Sequence, residues 1–267
     1  MRLISTLQSM KFPIHHIATQ KHWADMVLNP STRQQIDQLL NWLKQHKKNL
    51  LTKDSPQIGY RALFYGPAGT GKALTAAILA NELGAEVYKI DLSRVFSKYI
   101  GETEKNLELL FDHAESKGWI LFFDEADALF GKRTGVNDAH DKYADQETNY
   151  LLQKIEEYNG LVIVSSNFKN NIDDAFIRRF NSLIHFPFPT ASERRRIWET
   201  GFLENNLLLE SIDLDSVAEK YELSPASIIN VVRNLTDMNL SQSSSTIRQE
   251  QVIKAIELKT METKPGK

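Results

Sequence analysis

Cysteine is missing from all 267 residues, which excludes a disulfide framework and any thiolate metal site. No apolar run approaches the roughly 20 residues that span a bilayer, so no membrane partner is expected. The first residues lack the basic, apolar and small-residue succession of a secretory signal, and a cytoplasmic location is the expectation. Charge of one sign is also in short supply. With 32 Lys/Arg against 34 Asp/Glu, the net charge of −2 argues against a nucleic-acid coat, and no nucleic-acid partner is expected. The balance is uneven, however: residues 1–60 carry 8 Lys/Arg against 3 Asp/Glu, leaving 24 against 31 beyond. This basic segment is either a docking surface for an acidic partner or the solvated side of a helix. Internal repeats and long low-complexity tracts are absent, and the Ser-rich stretch from Ser241 to Ser245 is short enough to be a loop.

What remains is an alternation of two periodicities. From Ser31, after Pro30, Ile36, Leu39, Leu40 and Leu43 fall at helical spacing, and a polar break from Lys53 to Pro56 follows. Apolar runs at 62–65, 86–90, 120–123, 161–164 and 183–186 read as strands separated by helical patterns, including a helix from Leu74 to Leu83 closed by Gly84. Strand alternating with helix predicts an α/β fold around a mostly parallel five-stranded sheet flanked by helices. After Pro189 the signals become helical. Thr190 with Glu193 forms a capping box, Ser224-Pro225 places an N-cap before a first-turn Pro, and Thr246 can cap a last helix. The expected organisation is a basic helical segment over 1–50, an α/β nucleotide-binding domain over 51–189 and a small all-helical lid over 190–262.

Chemistry enters at the turn after the first of these strands. Gly66-Pro67-Ala68-Gly69-Thr70-Gly71-Lys72 fits the first seven positions of the phosphate-loop pattern G-x-x-x-x-G-K-[ST], between a strand and a helix as that pattern requires. Glycines let successive backbone N–H groups face phosphate oxygens, the helix start adds a favourable dipole, and Lys72 supplies a full positive charge. The eighth position is Ala73, where a Ser or Thr hydroxyl would ligate Mg²⁺. Thr75, two residues on, should point to a different helix face. Weakened metal placement is expected, with nucleotide binding less affected than hydrolysis.

Fifty-two positions beyond Lys72, Ile120-Leu121-Phe122-Phe123 runs into Asp124-Glu125-Ala126-Asp127. An apolar strand ending in adjacent carboxylates reads as a Walker B motif. Asp124 would hold Mg²⁺ through its water shell, and Glu125 would polarise the attacking water. ATP and Mg²⁺ are therefore the expected cofactors.

These motifs together resemble the AAA family of ATPases, in particular the clade that includes katanin and spastin and compact bacterial stand-alone members. The likeness runs from about Trp23 to Leu235. On that resemblance, Ser97 to Asn106 is similar to the pore-loop segment, with Lys98, Tyr99 and Ile100 gripping a polypeptide. Asn167 at the end of Val162-Ile163-Val164-Ser165-Ser166 resembles the sensor Asn, and Arg178 and Arg179 resemble arginine fingers offered to a neighbouring subunit's ATP. Gly59-Tyr60 lies where the family contacts adenine. Leu223-Ser224-Pro225-Ala226 takes the place of a lid motif usually containing Gly where Pro225 stands. Gly131 to Gln146 aligns with the second pore loop; Asp138, His140 and Asp141 there could in principle bind a metal, but the segment lacks a second His at ligand spacing.

The resemblance implies an ATP hydrolase working as one subunit of a homo- or hetero-oligomeric ring, a hexamer, that remodels or threads protein clients. Client choice would then lie in an adaptor or in residues 1–60. Ala73 supports a different reading, a nucleotide-binding structural or assembly subunit with weak or no hydrolysis. A DEAD-box helicase is disfavoured because no second RecA-like domain or helicase motif follows, and a P-loop kinase because the helical tail and the arginine pair have no role there.

Overall fold

The β-branched and aromatic runs lie in a sheet whose central strands are buried on both faces, as parallel strands covered by helices must be. The structure is a computed structural model and describes residues 13–51, 59–98, 103–127, 139–167, 174–210, 212–242 and 246–263. Its chain divides into two compact units: residues 1–20, 31–66 and 72–186 form one, and residues 21–30, 67–71 and 187–267 the other.

In the first unit, β1 (Ile14–Ile17), β2 (Tyr60–Tyr65), β3 (Val87–Asp91), β4 (Ile120–Asp124), β5 (Leu161–Ser166) and β6 (Ser182–His185) pair in the order β1-β3-β4-β5-β2-β6. The five strands from β2 to β6 are parallel, and they are the five the sequence predicts. One more joins them: β1 runs antiparallel along β3, with Ile14 opposite Ile90. Four residues with the burial pattern of one inward Ile, two exposed His and a half-covered Ile offer too little periodicity to be read as a strand.

Among the described residues, the helices of this unit are α1 (Pro30–Leu51), α2 (Lys72–Leu83), α3 (Leu92–Lys98), α4 (Thr103–Lys117), α5 (Ala139–Glu157) and α6 (Asp174–Ile177). Leu107, Leu110 and Phe111 of α4 and Leu151, Leu152 and Ile155 of α5 pack with Leu121, Phe123, Val162 and Val164 of the sheet. Gly84, at φ 61°, ends α2 as predicted.

The second unit carries a single 3₁₀ turn at Trp23–Asp25, then α7 (Ala191–Glu204), β7 (Leu208–Glu210), α8 (Leu214–Lys220), α9 (Pro225–Gln242), β8 (Thr246–Arg248) and α10 (Gln249–Thr263). Its core is built on Trp198, Phe202, Val217, Ile228, Val232, Val252 and Ile256. The capping box forms: Thr190 Oγ1 accepts from Glu193 N at 3.3 Å, and Glu193 Oε2 accepts from Thr190 N at 2.8 Å. Ser224 Oγ likewise accepts from Ser227 N at 3.2 Å ahead of Pro225. Thr246 does not serve as the cap expected of it. It pairs with Leu208 in a short two-stranded parallel sheet, and α10 begins three residues later, because a strand partner distant in sequence outcompetes the local cap. No helix among the described residues is long and apolar enough to cross a membrane.

Tyr158 shows how the α5–β5 connection is held. It is 4% exposed, its hydroxyl donates to Trp119 O at 2.5 Å, and burial pushes its phenol pKa upward. Tyr158→Phe would strand the Trp119 carbonyl, so urea unfolding should report a loss of about 1–3 kcal/mol with an unchanged m-value.

Candidate functional site

β2 ends at Tyr65 and the chain turns at once. Gly66 has φ 142°, Gly69 φ 77° and Gly71 φ 102°, which places backbone in regions that L-residues avoid. At Gly66 the need for glycine is doubled, since a Cβ there would collide with the carbonyl of Phe186, the residue following β6. Gly66 N donates to Ser166 O at 3.1 Å and Phe186 N to Tyr65 O at 2.8 Å, fastening the start of the loop to both neighbouring strands. Within the loop, Thr70 Oγ1 donates to Pro67 O at 2.8 Å.

Lys72 opens α2 and is only 7% exposed. Its ammonium donates to Gly66 O at 2.6 Å and, at a longer 3.4 Å, to Asn167 Oδ1. Burial lowers its pKa, and the nearby carboxylates of Asp124 and Asp127 act in the opposite direction. Ala73 and Thr75 follow, and Thr75 is wholly buried.

The carboxylate segment leaves the C-terminal end of β4. Asp124 is the strand's last residue, and Glu125 is exposed at φ 58°, a left-handed conformation uncommon for a non-glycine residue. Asp127 is a hub that sequence reasoning did not single out. Its Oδ1 accepts from Ser166 Oγ at 2.5 Å and its Oδ2 from Asn167 N at 2.7 Å, while Ala126 N donates to Ser165 O at 2.9 Å. The available signal was its place three residues after Asp124, on the same turn. Lys72, Asp124, Asp127 and Asn167 thus meet where β2, β4 and β5 end, the edge at which open α/β sheets bind ligands.

Arg178 and Arg179 follow α6 and are exposed. Arg179 pairs with Glu156, and Asn181 exchanges hydrogen bonds with the backbone of Arg61, accepting from Arg61 N and donating to Arg61 O, each at 2.8 Å. Arg61 Nε in turn donates to Ile155 O at 3.1 Å, closing the C-terminus of α5. The arginine segment is therefore tied to the first residues of β2, whereas the phosphate loop leaves its last. About five residues of strand, roughly 17 Å, separate those ends.

The same geometry places Gly59 and Tyr60, the pair that the resemblance relates to adenine. Gly59 and Tyr60 stand at the beginning of β2, far along the strand from the loop. Gly59 is required there because a Cβ would strike the carbonyl of Tyr158, and Tyr60 is buried, with its ring 4.4 Å from that of Trp42. Residues 21–30 cluster with the loop instead: a Cβ on Gly71 would lie 2.5 Å from Met26 Cε. In the same unit Ala226 N donates to Gly69 O at 3.1 Å, so Pro225 leaves the lid helix able to contact the loop backbone. Lys98 is the last residue of α3. Tyr99, Ile100 and residues 131–138 lie outside the described residues, as does Asp138 of the metal possibility.

An oxygen-rich divalent site is only partly present. Asp124 stands at the expected strand end, but its Oδ2 is 2.6 Å from Lys89 Nζ and Ala73 offers no side-chain oxygen. Among the described residues no group of three or more His, Asp or Glu could hold a metal. The donor set suits a triphosphate better than Mg²⁺, which demands near-octahedral oxygen coordination.

A family model described as "ATPase family associated with various cellular activities (AAA)" matches residues 62–188. The chain is 30% identical over 246 residues, 86% of its length, to katanin p60 ATPase-containing subunit A1 of Strongylocentrotus purpuratus. This chain belongs to the AAA family of ATPases. It is also 30% identical over 198 residues, 67% of its length, to cell division protein C of Sulfolobus acidocaldarius. It spans about half of these curated relatives, 46% and 52% of their lengths. Among solved structures, the AAA domain of FIGL-1 superposes with a TM-score of 0.71 over 97% of this chain and 89% of that one, at 18% identity, a likeness of fold.

Because the Lys72 ammonium is desolvated, Lys72→Met should leave the nucleotide-free melting temperature unchanged or slightly raised. The same variant should abolish the thermal shift produced by ATP, which differential scanning fluorimetry reads directly.

Proposed function

We propose that this AAA chain binds ATP on the loop Gly66–Lys72 and hydrolyses it as one subunit of a ring acting on protein substrates. The observation that carries the reading is the convergence of Lys72, Asn167, Asp124 and Asp127 at the ends of β2, β4 and β5. Backbone N–H groups of Pro67-free positions in the loop, together with Lys72, would hold the phosphates. Glu125, exposed beside Asp124, would take the proton of the attacking water. Asn167, held through its own N–H by Asp127, would orient that water or the γ-phosphate.

Arg178 and Arg179 support the oligomeric part. Anchored at the opposite end of β2 from their own loop, they would serve a nucleotide held by another copy, where a planar guanidinium can neutralise charge on the transferring phosphoryl group. By family likeness the ring would be a hexamer. Lys98, Tyr99 and Ile100 would line its channel and contact a protein client, and an adaptor or the basic segment of residues 1–60 would choose that client.

A second reading, a nucleotide-binding assembly subunit with little turnover, is favoured by Ala73. Both readings meet in one experiment. Purified protein should bind ATP, and Glu125→Gln should lower turnover by about 10²-fold or more while binding persists. Tight binding with no turnover in either form would select the assembly reading. Ala73→Thr should raise turnover severalfold in steady-state assays if the missing hydroxyl limits the rate.

A further inference from the structure

Lys89 sits on β3, two residues before the strand's end, and its side chain reaches diagonally across to the last residue of β4. In register, Asp91 faces Asp124 and Lys89 faces Phe122, so one ammonium stands beside the acidic end of two adjacent strands. Lys89 Nζ is 2.6 Å from Asp124 Oδ2, with the side chains 33% and 21% exposed. Asp91 is engaged separately, accepting from Ser93 Oγ at 2.6 Å. Among the described residues, the carboxylates of Asp91, Asp124, Glu125 and Asp127 lie at this edge of the sheet together with the ammonium groups of Lys72 and Lys89.

A triphosphate approaching that edge meets carboxylates of its own sign. A divalent cation would ordinarily offset the repulsion, held by a carboxylate and by the hydroxyl that follows the loop lysine. Here the hydroxyl is replaced by Ala73, and the carboxylate already faces a compact, strongly hydrated point charge carried by the protein. A divalent ion seated on Asp124 would either displace Lys89 or share one carboxylate with it as a like charge.

Resting on the nucleotide-binding reading above, we infer that Lys89 is a resident counter-ion for Asp124, which lets this chain bind ATP without a requirement for Mg²⁺. Lys89 neutralises the strand-end carboxylate so that metal-free ATP is not repelled, and it competes with Mg²⁺ for the same oxygen. Lys89 is thus a positioning residue, acting through Asp124 and not on the nucleotide.

The test is equilibrium binding of a fluorescent ATP analogue, with excess Mg²⁺ or with EDTA, to the wild type, Lys89→Met and Lys89→Arg, each first shown to be folded by its nucleotide-free melt. Wild-type affinity should change by less than about fivefold between the two conditions. Lys89→Met should bind metal-free analogue about tenfold or more weakly, with Mg²⁺ restoring the loss, and Lys89→Arg, which keeps the charge, should follow the wild type. A wild type that loses about fivefold or more on chelation overturns the inference, and this comparison decides even if Lys89→Met fails to fold. Equal metal-free binding by wild type and folded Lys89→Met overturns it as well. Absence of binding by the folded wild type under both conditions is a different pattern and brings down the nucleotide reading itself.

Discussion

The ammonium group of a lysine only 7% exposed must be met by oxygen or it will not stay charged, and at Lys72 the surrounding strands are arranged to meet it. Gly66 O accepts from one side because the loop turns back at a φ that glycine tolerates, and the same residue lacks the Cβ that would drive β6 away. Asn167 accepts from another side, held in place by Asp127, which also binds Ser166. Remove any of these and the lysine loses either its partner or its position. The strand order is consistent with this arrangement: with β2 between β5 and β6, Gly66 N donates to Ser166 O while Tyr65 O accepts from Phe186 N.

The sheet also separates two polar clusters along its strands. Acidic, amide and ammonium groups gather at the C-terminal ends, while Arg61, Asn181, Glu156 and Arg179 form a second polar cluster at the beginning of β2. Exposed ion pairs such as Arg179–Glu156 contribute little stability singly. Their value lies in geometry, since Asn181 and Arg61 tie the arginine segment to the same strand that carries the phosphate loop at its other end.

Local signals were strong where chemistry imposes a fixed residue order. The phosphate loop, the strand ending in Asp124-Glu125, the capping box at Thr190 and the Gly84 stop each depend on neighbours within a few residues, and each is found where the residue order puts it. Failures have a common cause. β1 is four residues long and exists because β3 has an unpaired edge; Thr246 joins β7 because Leu208 is nearby in space; Gly59 is glycine because Tyr158 passes close to it. None of these partners is adjacent in sequence, so no periodicity or capping rule could reveal them.

The sequence by itself determined the α/β class, the family, the glycine-rich turn between β2 and α2 and the absence of a hydroxyl at Ala73, because each is a property of residue type and short spacing. Only the tertiary structure decided that Asp127 buttresses Asn167, that Lys89 faces Asp124, and that Gly59-Tyr60 stands at the opposite end of β2 from Gly66. Those facts depend on strand order and register, which bring together residues 35 to 40 positions apart, and register is set by the packing of the whole sheet.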